Sequence, residues 1–245
     1  MQHPPRIILV RPQMGENIGA TARAMMNFGL SDLWLVAPRD GWPNAKAYEM
    51  SAHAKEIIER AHVVDTINHA LHGIHYAYGA SAQRRDLALP HHDVPSMPAW
   101  WAHDASLRSA VIFGPENHGL SNDDLTHCSA LITIPTDARN TSLNLAQSVV
   151  IVAYTWFQMH QASNLPSPAV ARPTIHATLD ERSALYDVWW SLLDQVGYGA
   201  SHPEKRHSAQ QHMRLLLGQC HLQSYEVQML HGMMRTIAHH LHKTR

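Results

Sequence analysis

Ile7-Ile8-Leu9-Val10, followed by Asn17-Ile18-Gly19-Ala20-Thr21-Ala22-Arg23-Ala24-Met25-Met26-Asn27-Phe28-Gly29, sets the pattern for most of the chain. An unbroken four-residue apolar run suits a strand covered on both faces, as in a parallel sheet. Asn17 is then a natural helix cap, Ile18 to Phe28 carries apolar residues at helical spacing, and Gly29 supplies a stop. A strand that feeds directly into a helix opens an α/β fold.

The alternation continues outward from there. Leu33-Trp34-Leu35-Val36, Val63-Val64, Ile74-His75-Tyr76-Ala77-Tyr78, Ala110-Val111-Ile112-Phe113 and Leu131-Ile132-Thr133-Ile134 read as further strands. Helices are predicted over residues 54–60, 67–71 and 143–159. This order implies a parallel sheet with helices on both faces. Between Gln161 and Thr178 the character changes, and Pro166, Pro168 and Pro173 mark a linker. Residues 179–196, 204–217 and 222–241 have helical periodicity and no strand signal. The expected organisation is therefore an α/β domain over residues 1–162, a linker over 163–177 and a small all-helical extension over 178–245.

With 245 residues, 45% apolar and 16% charged, the chain can bury a sizeable core and is not a disordered polypeptide. No apolar run approaches the roughly 20 residues needed to cross a bilayer, and residues 7–10 are too few for a signal-peptide core. A cytoplasmic protein without membrane attachment is expected. Cys128 and Cys220 have no metal-ligand spacing, and His239, His240 and His242 lack the four-residue spacing of helix ligands, so no metal site is expected. The Trp100-Trp101 and Trp189-Trp190 pairs are expected in the core or a subunit contact. A net charge of −1 argues against a general polyanion binder. From Ser201 onward, however, Lys205, Arg206, Arg214, Arg235, Lys243 and Arg245 face only Glu204 and Glu226, so the tail is locally basic.

Three stretches carry chemistry. The first is the Asn17 to Gly29 helix, which matches neither the dinucleotide fingerprint nor a P-loop, and on which Arg23 can reach phosphate or ribose oxygens at the sheet edge. In the second, Val111-Ile112-Phe113-Gly114-Pro115-Glu116-Asn117-His118-Gly119-Leu120, a carboxylate lies just outside a strand end, where open α/β sheets bind ligands. The third is Ile134-Pro135 with Thr141-Ser142-Leu143-Asn144-Leu145, where Ser142 can cap the long helix and Asn144 is out of place unless it bonds to something. Taken singly, each also reads as ordinary structure: a surface arginine, a turn, a cap.

In this order and spacing, the three together resemble the three motifs of the SPOUT class of methyltransferases, in its TrmH-like branch and closest to the TrmJ subfamily. The resemblance covers residues 7–159 and extends to the helical appendage. It implies an α/β domain with a C-terminal trefoil knot, acting as a homodimer. The implied activity is S-adenosylmethionine-dependent methylation of a ribose 2′-hydroxyl in tRNA, at cytidine or uridine 32 of the anticodon loop. Carried over, the cofactor contacts are Gly79, Ala80, Ser81, Gly114, Ile134, Thr141, Ser142 and Leu143, and the residues nearest the reaction are Asn17, Arg23, Glu116, Ser142 and Asn144. Arg84 and Arg85, which resemble a basic loop of the family, and Lys205, Arg206 and Arg214 of the tail are candidate RNA contacts. Two departures stand out: Thr136-Asp137-Ala138-Arg139-Asn140 replaces a Pro-Glu-Tyr-like run, and His53 replaces a small residue. An rRNA 2′-O-methyltransferase and a non-catalytic RNA-binding or assembly protein on the same fold remain as alternatives.

Overall fold

A computed structural model describes residues 3–82, 88–101, 106–162 and 176–243. Among them, seven strands form one sheet in which every pairing is parallel: β1 (Arg6–Val10), β2 (Leu33–Val36), β3 (His62–Val64), β4 (Tyr76–Ala80), β5 (His91–Asp93), β6 (Ser109–Phe113) and β7 (Ala130–Thr133). The spatial order is β3-β2-β1-β6-β4-β7-β5. The chain therefore builds outward from β1 to β3, crosses to the other side for β4, and returns to insert β6 beside β1. Strand order reverses at that point, and such a reversal opens a crevice beyond the carboxyl ends of the strands.

The apolar runs explain why the sheet is buried on both sides. Ile7 and Leu9 of β1 enter one core with Val111 and Phe113, while Ile8 and Val10 enter the other with Ala110 and Ile112. On the first face lie α1 (Gly15–Asn27), α2 (Ala45–Met50), α3 (Lys55–Glu59), α5 (Met97–Trp100) and α7 (Leu145–Ala162). α4 (Ile67–Ala70) and α6 (Asn122–Leu125) cover the second. Glycines set the closest approach. A Cβ on Gly19 would lie 2.3 Å from the Ala47 carbonyl oxygen and 2.7 Å from Met50 Cβ, so α2 packs against α1 only because position 19 is bare.

α8 (Leu179–Gln195), α9 (Pro203–Gln219) and α10 (Ser224–Lys243) carry a core of their own around Leu185, Tyr186, Trp190, Leu217 and Val227. The tie to the sheet is polar. Arg182, 3% exposed, donates to the carbonyl oxygens of Gly218 and Cys220, each at 2.9 Å, and to that of His75 at the start of β4. Leu179 N–H donates to the Ile74 carbonyl at 2.7 Å, and Leu179 and Leu215 complete the core under α4 and α6.

The structure refines several sequence-based expectations. α1 begins at Gly15 and not behind Asn17, and Met14 at its N-cap gives no side-chain cap. β4 begins two residues later than expected and includes Gly79. The short elements β5, α2 and α5 carry no signal of the kind used above. Trp101 and Trp190 are buried, as the tryptophan pairs suggested. No helix among the described residues is long and apolar enough to cross a membrane.

Two predictions follow from this packing. Gly19→Val forces α2 away from α1 and is expected to cost about 1–3 kcal/mol, read as a lower urea midpoint with an unchanged slope. His127, packed under α9, is held neutral by burial and by the nearby charge of Arg214, which push its pKa down to about 4. The unfolded chain takes up this proton near pH 6.5, so the His127 contribution to stability is full above that value and falls away between pH 6.5 and 4. Thermal midpoints recorded across that window should fall less steeply in His127→Asn.

Candidate active site

The carboxyl ends of β6, β4 and β7, which lie side by side in the sheet beyond the reversal of strand order, surround one cleft of about 260 Å³. Its floor is Ala80, Phe113, Gly114 and Ile132, and its walls are the loops that leave those strands. A Cβ on Gly114 would lie 2.3 Å from the backbone of Gly119 and Leu120, so the 114–119 loop folds back on itself only with glycine there.

Glu116 in that loop binds the segments together. Its Oε2 accepts the Gln13 N–H at 2.8 Å, and its Oε1 accepts the Met14 N–H at 3.3 Å and the Asn17 Nδ2–H at 2.7 Å. A carboxylate from a distant loop thus lies at the start of α1 and supplies what its own N-cap lacks. Asn17, 8% exposed, passes the connection on, since its Oδ1 accepts from Asn144 Nδ2 at 3.0 Å. Asn144 Oδ1 in turn accepts the Ala146 N–H at 2.9 Å and caps α7. The cap of the long helix is therefore Asn144 and not Ser142, which stays free of that duty and faces the cleft. Below the loop, Ser121 and Asp124 form a reciprocal capping box on α6. Burial raises the Asp124 pKa, but hydrogen bonds from Arg11 and Ser121 outweigh it and the net shift is downward.

Of the residues assigned to cofactor contact, Ala80, Ser81, Gly114, Ile134, Thr141, Ser142 and Leu143 line the cleft together with Glu116. Gly79 does not: it sits inside β4, and its bare face lies against Cys128, Leu125 and Leu120. Asn17 and Asn144 stand behind the wall and act through Glu116 and α7. Arg23 is exposed on α1 outside the cleft and makes no hydrogen bond or ion pair among the described residues. Ser148, Leu145 and His118 were not anticipated as lining residues. Ser148 lies one turn beyond Asn144 on the same helix face, a spacing that already pointed to it. Among the described residues, no lysine or arginine lines the cleft.

The proposed RNA contacts divide. Arg84 and Arg85 lie outside the described residues. Lys205 is exposed, Arg206 pairs with Asp194 at 2.5 Å, and the guanidinium carbon of Arg214 lies 4.4 Å over the Tyr186 ring. Of the departures, the Thr136 to Asn140 run is turned back on itself by an Asp137–Arg139 ion pair at 2.9 Å.

The SpoU rRNA Methylase family profile matches residues 4–154, the whole of the segment that builds this cleft. The chain belongs to this family. Its fold is that of SPOUT methyltransferases, as the three motifs implied. A tRNA (cytidine/uridine-2′-O-)-methyltransferase TrmJ from Sodalis glossinidius is 34% identical over 242 residues, 98% of this chain and 93% of that protein. The TrmJ of Cronobacter sakazakii is 32% identical over 238 residues, 95% of each chain. Among solved structures, TrmJ from Z. mobilis ZM4 superimposes with a TM-score of 0.85 at 34% identity, covering 96% of this chain and all of that one. The similarity to these TrmJ proteins thus runs through the helical extension as well as the sheet.

Glu116→Ala removes the acceptor for three donors and is expected to cost about 1–3 kcal/mol, with Glu116→Gln milder because one oxygen remains. Thermal denaturation of the two variants checks the order.

Proposed function

We propose that this protein transfers a methyl group from S-adenosylmethionine to a ribose 2′-hydroxyl of tRNA, at cytidine or uridine 32 of the anticodon loop. One observation carries the reading: Asn17, Glu116 and Asn144, drawn from three distant stretches, form one bonded chain behind a cleft that Ser142 lines. Near full-length similarity to tRNA (cytidine/uridine-2′-O-)-methyltransferases supports the substrate.

The cleft suits this cofactor. Ile132, Ile134, Leu143 and Leu145 offer an apolar surface for an adenine, and Ser81, Thr141 and Ser142 offer hydroxyls for ribose and amino-acid groups. With the Glu116 carboxylate in its wall, the site is compatible with a cationic sulfonium. When bound, S-adenosylmethionine supplies a methyl group that is already activated for displacement. Ala80, Ser81, Gly114, Ile134, Thr141, Ser142 and Leu143 would hold it. Alignment of the ribose is the larger part of the protein's work, and positioning alone lowers a barrier by roughly 7–11 kcal/mol.

Arg23 is the residue assigned to the substrate. A guanidinium remains protonated, so its part is to bind the nucleotide's phosphate and to stabilise charge that develops on the 2′-oxygen. It stands outside the cleft of a single chain, and the proposed homodimer completes the site. Support for the pairing comes from the exposed apolar residues beside it, Met26 on α1 with Val150 and Tyr154 on α7. The trefoil knot, a cytoplasmic location, RNA contacts by Arg84, Arg85 and Lys205, and the division at residues 162 and 178 belong to the same reading.

Arg23→Ala is expected to lower kcat by at least about 100-fold with S-adenosylmethionine affinity unchanged, measured by methyl incorporation into tRNA and by calorimetry. Near-normal turnover would remove Arg23 from this role. Mapping 2′-O-methyl groups in a strain lacking the protein should show the loss at tRNA position 32, whereas a loss confined to rRNA would reassign the substrate.

A further inference from the structure

A second cavity, of about 240 Å³, opens at the seam between the sheet and the helical extension. Its wall includes Asn68 of α4, His127 behind α6, Ser183 and Asp187 of α8, and Arg214 of α9. None of these lines the cleft described above. The guanidinium carbon of Arg214 lies 4.4 Å from the centre of the Tyr186 ring, a contact that takes up none of its N–H hydrogen-bonding capacity. No hydrogen-bond acceptor or carboxylate takes those N–H groups among the described residues, and Asp187, exposed on the same wall, is equally uncommitted. His127 is neutral near pH 7, because burial and then the charge of Arg214 push its pKa down to about 4. A neutral imidazole offers one donor and one acceptor.

The chemistry of this wall selects among ligands. A phosphate would find Arg214, and Arg182 with its donors directed at carbonyl oxygens, but also Asp187 and Asp180, whose carboxylate already accepts the Gly73 N–H at 2.7 Å. A neutral ring with both donors and acceptors on its edge finds partners for each. Loops of RNA are read in this way, through bases splayed out of the stack and bonded along their edges.

We propose that the seam cavity receives an unpaired nucleobase of the RNA substrate, recognised along its hydrogen-bonding edge by Arg214 and Asp187. The inference rests on the RNA-methyltransferase reading and gives the helical extension a defined part in it. Position supports the assignment. The segment from Gly119, in the catalytic cleft, to His127, in the seam, spans at most about 29 Å even if fully extended. A single folded loop of RNA can therefore serve both. Lys205 is exposed further along α9, where it can follow the backbone.

The full-length chain and three variants, Arg214→Ala, Arg214→Lys and Asp187→Ala, decide the matter on a tRNA transcript. Arg214→Ala should raise KM for tRNA about five- to twentyfold, with kcat and S-adenosylmethionine affinity unchanged. Arg214→Lys, which keeps the charge without the planar fork, should recover less than half of that loss. Asp187→Ala, at an exposed position that does not threaten folding, should also raise KM, about three- to tenfold. Filter binding at several salt concentrations should give Arg214→Ala the wild-type slope. A slope shallower by about 0.7 would make the site a phosphate contact and overturn the proposal. Normal KM in both alanine variants would overturn it too, as would a lower KM in Asp187→Ala, the mark of a carboxylate that only repels RNA. A wild-type chain that methylates no tRNA overturns the RNA reading along with this one; an active wild type with unaffected variants overturns this one alone.

Discussion

Everything at the cleft depends on where the two oxygens of Glu116 are spent. They accept from Gln13, Met14 and Asn17, residues about a hundred positions earlier, and Asn17 extends the connection to Asn144. The insertion of β6 beside β1 is what brings these positions together, so assembly of the sheet and construction of the site are one event. The arrangement also limits what Glu116 can do. Its acceptor capacity is directed at backbone and amide donors, which makes it a positioning residue that holds the loop and helix in register.

The same economy of means appears at the second junction. Arg182 is a buried cation with no carboxylate partner among the described residues, satisfied by carbonyl oxygens from α9, the turn after it and the residue before β4. Such a group is tolerated only when its donors are taken up, and here they are taken up by both parts of the molecule at once. The extension is therefore held to the sheet at a fixed place, and the cavity at the seam keeps its shape.

Much of this was legible in the sequence, for reasons that differ between elements. β1, β2, β6 and β7 announce themselves because strands buried on both faces need unbroken apolar runs. α8, α9 and α10 were found by periodicity over many turns. β5, His91-His92-Asp93, was not legible, because it is an edge strand held by its register on β7 and not by its own side chains. The start of α1 and the cap of α7 were misplaced for a related reason: both are settled by partners distant in sequence, Glu116 in one case and the Asn17–Asn144 bond in the other. Ala80, Ser81, Gly114, Ile134, Thr141, Ser142 and Leu143, picked out by the motifs, line one cleft. Gly79 lies off the cleft lining, because a bare Cα can serve close packing as well as a ligand, and sequence does not say which side it faces.

Among the described residues of the cleft wall, Glu116 is the carboxylate, and its charge bears on what the strand ends would welcome. An anionic tail placed beside it is repelled, whereas a positive centre is drawn to it. Discrimination of this kind needs no steric gate; it follows from where the strand ends put one negative charge.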